Sequence, residues 1–191
     1  MSNLMDYLDW RGDLTFREAP FNEVDNLILA QLVYVEFAGI VPAPGEEGTI
    51  TVKEACELFF AAHDRKEIME RVSMTKTAAF VLEKMAQTER FCNAQLFGYI
   101  NDISKEEQSQ FSVVCVRLDD KSIYVSFSGT DNTIVGWREN FNMGYLSETP
   151  GQLKAVDYLN HMVKEDWKKI RVGGHSKGGN LSVYASVKCD R

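Results

Sequence analysis

The chain has 191 residues, 45% of them apolar and 26% charged, with a formal net charge of −7. That length supports one domain with a sizeable core, and the acidic balance argues against nucleic acid or anionic membrane as electrostatic partners. No apolar run reaches the roughly 20 residues of a transmembrane span, and MSNLMDYLDWRGDL lacks the layout of a secretion signal, so a cytoplasmic location is expected.

The first 90 or so residues are expected to be helical and to pack on the core that follows. In NEVDNLILAQLVYVEFAGI, Val24, Leu27, Ile28, Leu32 and Val35 recur at helical spacing with further apolar residues between them, which predicts a mostly buried helix. APGEEGT interrupts the chain with proline and glycine. Thr51 and Glu54 form a capping-box pattern that opens a second helix running to about Ala62. A third helical stretch runs from about Lys66 to Thr88, with a break near Ser73.

After Phe91 the texture changes. NAQLFGYIND, QFSVVCVRLD and KSIYVSFSGT are rich in β-branched and aromatic residues and are separated by polar turns, so they read as three strands, at least the last two forming a hairpin. GQLKAVDYLNHMVKEDWKK predicts an amphipathic helix with Leu153, Val156, Leu159, Val163 and Trp167 on one stripe. IRVGG reads as a short buried strand and GNLSVYASVKC as a helix. The order β-β-β-α-β-α implies a sheet covered by helices, with parallel crossovers in its later part. Residues 1–90 and 91–191 are expected to form one structural domain. The four cysteines, Cys56, Cys92, Cys115 and Cys189, are scattered without metal-ligand spacing and read as reduced and mostly buried.

The chemistry concentrates at VGGHSKGGN, residues 172–180. Gly-x-Ser-x-Gly between a buried strand and a helix is the pattern of a nucleophile elbow, with Ser176 as the exposed hydroxyl. Side chains at Gly174 or Gly178 would collide with the neighbouring strand and helix. The helix start aims N–H groups and its positive end at the reacting carbon. The bland alternatives are a connecting glycine-rich turn or a phosphate-binding nest. A second cluster lies upstream in YVSFSGTDNTIVGWREN, residues 124–140. Thr130 stands at a strand's carboxyl end, where its N–H could serve an oxyanion hole. On spacing alone, a hairpin exit with a threonine cap explains it as well.

Taken together, FSGTDNTIVGWREN and GHSKGGN resemble the oxyanion segment and the serine elbow of class 3 (fungal-type) lipases, over about residues 91–189. DYLDWRGDLTF and PFNEVDNLILAQLVYVEF are similar to the start of an uncharacterised bacterial lipase-like family of α/β-hydrolases. The resemblance implies an α/β-hydrolase fold, a mostly parallel sheet covered by helices, incomplete on its C-terminal side. It implies Ser176 as nucleophile, and Thr130 as an oxyanion residue through its N–H alone or together with its hydroxyl. Lys177 would add the second N–H, Trp137 would pack beneath the oxyanion loop, and His175 would be structural. Ser128 stands where the family often has arginine, and Lys177 replaces a usual leucine, its side chain directed to the pocket or to solvent.

The expected activity is therefore ester hydrolysis through an acyl-enzyme on a small ester or lipid, without metal or cofactor. In this fold the acid and histidine follow the serine, and none of the three histidines, His63, His161 and His175, makes a convincing base. Asp131 reads as a loop cap. The chain therefore reads as the N-terminal part of a longer hydrolase, inactive or nearly so by itself, with an open sheet edge that invites self-association. The rival is a non-catalytic interaction or anion-binding module on the same frame. Residues 131–149, with Ile134, Val135, Trp137, Phe141, Met143 and Tyr145, are apolar enough to line an acyl pocket or act as a lid, or else to pack in the core.

Overall fold

A computed structural model describes residues 3–71, 73, 75–131, 133–162, 167 and 169–190. The N-terminal helices are α1 (Leu4–Arg11), α2 (Glu23–Leu32), α3 (Val52–Ala62), α4 (Arg65–Glu70) and α5 (Ala78–Ala86). Polar side chains set four of their starts, Asp64 capping α4 through the Lys66 and Glu67 N–H groups. Asn3, Asn22 and Thr51 each make a reciprocal capping box, with Asp6, Asp25 and Glu54 as the returning carboxylates. The third helical stretch is indeed broken, α4 ending at Glu70 and α5 starting at Ala78.

The sheet has five strands in the order β1-β2-β3-β4-β5. They are β1 (Ile50–Thr51), β2 (Gln95–Ser104), β3 (Ser109–Arg117), β4 (Ile123–Phe127) and β5 (Ile170–Gly174). β1 escaped the sequence reading because two residues carry no periodic signal. Pairings β1–β2, β2–β3 and β3–β4 are antiparallel, and β4–β5 alone is parallel. The expected mostly parallel α/β-hydrolase sheet is thereby overturned. Short polar turns join β2 to β3 and β3 to β4, so each pair must run antiparallel, whereas a parallel pair needs a long crossover. Only one such crossover is present among the described residues, through α6 (Ile134–Asn142) and α7 (Pro150–Met162) to β5. α8 (Lys177–Lys188) follows β5.

Strand alternation divides the core. Val114, Val116 and Tyr124 face the cluster built by α1–α5, while Val113, Cys115, Val125 and Phe127 face the cluster built with α7 and α8. Each expected stripe has one exposed member, Leu27 on α2 and Leu153 on α7, while Ile28, Leu32 and Val35 in the first and Leu159 with partly buried Val156 in the second face the core as expected; α7 also buries Gly151, Gln152, Ala155 and Tyr158. Val163 lies outside the described residues, and Trp167 follows α7 and stacks on Phe97 with centroids 6.2 Å apart. No described helix is long and apolar enough to cross a membrane.

Candidate functional site

The site forms where β4 and β5 end side by side. Their parallel register pairs Phe127 with Gly174, so Ser128–Thr130 and His175–Lys177 leave the sheet together in the same direction. Their contact is close enough to dictate residue type. A Cβ on Gly174 would stand 2.6 Å from the carbonyl carbon of Gly178, and one on Gly178 would stand 2.8 Å from that of Ser128. A Cβ on Gly129 would stand 2.5 Å from the His175 carbonyl oxygen. These partners are backbone atoms and cannot swing aside, which is why glycine occupies all three positions.

Ser176 sits at the apex of this junction. Its backbone has φ 57° and ψ −121°, a region costly for any residue with a Cβ. The surrounding contacts hold it there: Gly178 N–H donates to the His175 carbonyl at 3.0 Å, and Gly179 N–H to the Ser176 carbonyl at 3.0 Å. Ser176 is exposed, and its hydroxyl makes no hydrogen bond within the described residues. The result is a strained backbone that presents a free hydroxyl at the start of α8.

The N–H groups of Thr130 and Lys177 likewise donate to nothing among the described residues. The Thr130 hydroxyl is buried and has no hydrogen-bond partner among the described residues. Asp131 is occupied as a cap, accepting from Thr133 N–H at 2.9 Å and from the Thr133 hydroxyl at 2.6 Å.

Two expectations are corrected around this loop. Residues 134–142 form helix α6 rather than a loop, and Trp137 is 49% exposed on it instead of packing beneath Thr130. Ile134 and Phe141 share that exposure, so these three residues face solvent, whereas Met143 packs against the core cluster that holds Phe127 and Tyr158. Lys177 points neither to a pocket nor to solvent. Its side chain is wholly buried and ion-paired with Glu139 at 2.6 Å, and Nζ also donates to Gln110 Oε1 at 2.8 Å. Burial pushes the ammonium below the ordinary lysine range, with Glu139 opposing.

The histidines lie apart from Ser176 or without a supporting partner. His63 stacks on Phe59 and bonds to its carbonyl, His161 pairs with Asp157 on α7, and His175 is exposed beside the serine with no side-chain hydrogen bond among the described residues.

Two features escaped the sequence reading. Tyr34, just beyond α2, accepts the Gly129 N–H at 2.8 Å, so the N-terminal region reaches the site itself. The Glu139 carboxylate was also missed. Gly136 and Glu139 form the buried face of α6 opposite the apolar stripe, a pattern that would have marked residues 134–142 as a helix.

A family model described as Mbeg1-like matches residues 85–191, more than half of the chain. The chain belongs to the Mbeg1-like family. The Mbeg1-like match takes in β2 through α8 and hence both serine and threonine segments, while Tyr34 comes from outside it. No curated protein and no solved structure matches the chain.

Proposed function

We propose that this Mbeg1-like protein is a serine ester hydrolase with Ser176 as its nucleophile. The observation that carries this is the exposed serine held at φ 57° and ψ −121° between β5 and α8. Strain of this kind persists only where the surroundings over-determine it, and it gathers at functional positions. The Ser176 hydroxyl would attack an ester carbonyl. The N–H groups of Thr130 and Lys177, which donate to nothing among the described residues, with the positive end of α8, would receive the charge on the carbonyl oxygen. An acyl-enzyme then forms, the alcohol leaves, and water releases the acid. The exposed Ile134, Trp137 and Phe141 on the adjacent α6 favour an apolar acyl group, as does the motif resemblance to class 3 lipases. Proton transfer would need a histidine and an acid at the Ser176 hydroxyl beyond those gathered there among the described residues.

The test is covalent labelling of the full-length protein with an alkyl fluorophosphonate, read by intact mass. One adduct on wild type that is absent from Ser176→Ala is expected. A folded wild-type protein that takes up no label would overturn the assignment, and protection of the α8 start by inorganic phosphate would then favour an anion-binding module.

A further inference from the structure

Lys177 is the least expected side chain at the site. An ammonium at a helix N-terminus is opposed by the helix's own positive end, and burying it removes its hydration. Its three N–H donors are nevertheless all used, on the Gln110 carbonyl, Gln110 Oε1 and Glu139 Oε2. Each partner reaches onward. Glu139 accepts from Gln110 N–H at 3.0 Å and from Gly151 N–H at 2.8 Å, so it joins α6 to β3 and to the start of α7. Gln110 Nε2 donates to the Ser128 hydroxyl at 3.1 Å, two residues before Thr130. The side chain of one candidate oxyanion residue is thus connected through a single glutamine to the segment bearing the other.

We propose that the buried Lys177–Glu139 ion pair is the positioning device of the Ser176 site, clamping the 128–131 segment to the elbow so that the Thr130 and Lys177 N–H groups keep a fixed relative position. This role rests on Ser176 being the nucleophile. A leucine at position 177 would fill the space but tie nothing. The hydrogen bonds act in fixed directions, and an oxyanion site loses rate steeply when its donors shift by a fraction of an ångström. The groups facing the ammonium are Glu139 from α6, Asp131 from the segment after β4, and the neutral Gln110 of β3. With Glu139 neutral, Lys177 loses its main counter-charge, and its titration moves further down.

The test compares fluorophosphonate labelling rates of full-length wild type, Glu139→Gln, Lys177→Met and the double variant Lys177→Met/Glu139→Met. Each is checked for folding by thermal melting. Amide hydrogen exchange at residues 128–131 and 175–178 is followed alongside. Both single variants are expected to label about tenfold or more slowly and to exchange faster at both segments. Glu139→Gln is expected to show a step in its pH–rate profile, the rate falling as pH rises, at lower pH than the corresponding step in wild type. Merely structural damage would not move that step. The double variant, which orphans no buried charge, is expected to fold well yet label slowly. Wild-type labelling in the folded double variant overturns the proposal, as does unchanged exchange at both segments. If wild type itself takes no label, the nucleophile assignment falls, and the exchange data alone decide the clamp.

Discussion

At the scale of single residues, steric exclusion governs the site. A methyl group on Gly178 would lie 2.8 Å from the Ser128 carbonyl carbon and 2.9 Å from that of Phe127. Relief would require β4 to move away from α8. Gly178→Ala is therefore expected to cost about 3 kcal/mol, read as a lowered urea midpoint. Gly179→Ala is the control. Its methyl meets nothing nearer than the Gly174 carbonyl oxygen at 3.2 Å, and alanine's better helix propensity offsets that contact. Equal midpoints for Gly178→Ala and wild type would remove the steric account. These glycines were legible in the sequence because Gly-x-Ser-x-Gly is a local pattern. The strain at Ser176 follows from the same pattern, since the turn leaves no other backbone path.

At the scale of elements, the β4–β5 pair that carries the site is fastened at its opposite end by Asp120. Its carboxylate accepts the Ser122 N–H at 2.9 Å and Arg171 Nη2 at 3.2 Å, which ties the β3–β4 turn to β5. Burial alone would raise the Asp120 pKa, but the Ser122 hydrogen bonds and the Arg171 charge prevail and hold it below its ordinary 3.8. The folded form therefore keeps its charge where the unfolded form is already protonated. Stability from this contact is present above 3.8 and lost as pH falls through the lower folded value. Asp120→Asn is expected to lower the thermal midpoint at pH 7 and to flatten its decline in acid. Parallel acid limbs for variant and wild type would refute the contact's contribution. The elements themselves were readable from periodicity and capping. The β3–β4 hairpin and the parallel crossover to β5 were legible as well, but the sheet as a whole was misjudged as mostly parallel because a likeness between short motifs says nothing about how the strands before them run. α6 was overlooked because its apolar residues face solvent, which makes its stripe resemble a loop's apolar scatter.

At the scale of the whole molecule, the N-terminal helices do more than cover a sheet face. Buried Arg90 joins Asp25 of α2 through Nη2 at 2.5 Å and also reaches the Leu14 and Ala19 carbonyls, so α2 and the segments before it are locked to the entrance of β2. From that fixed base Tyr34 extends to the Gly129 N–H. Tyr34→Phe would leave this buried amide without its acceptor, at a cost of about 1–3 kcal/mol. The variant is expected to show a lowered urea midpoint and faster amide exchange at Gly129. Unchanged exchange there would mean that the N-terminal region only covers the sheet.

The sequence by itself determined the helix starts at Thr51 and Ser176, the three-strand run after Phe91, and the position of the exposed serine. All of these rest on residues near one another along the chain, where capping, periodicity and glycine spacing act. Tertiary structure alone decided that β1 joins the sheet antiparallel to β2, that Lys177 is buried against Glu139, and that Tyr34 meets Gly129. Each of those joins residues far apart in sequence. Whether a distant charge or hydroxyl arrives to satisfy a buried group depends on the packing of the whole chain, which no local pattern encodes.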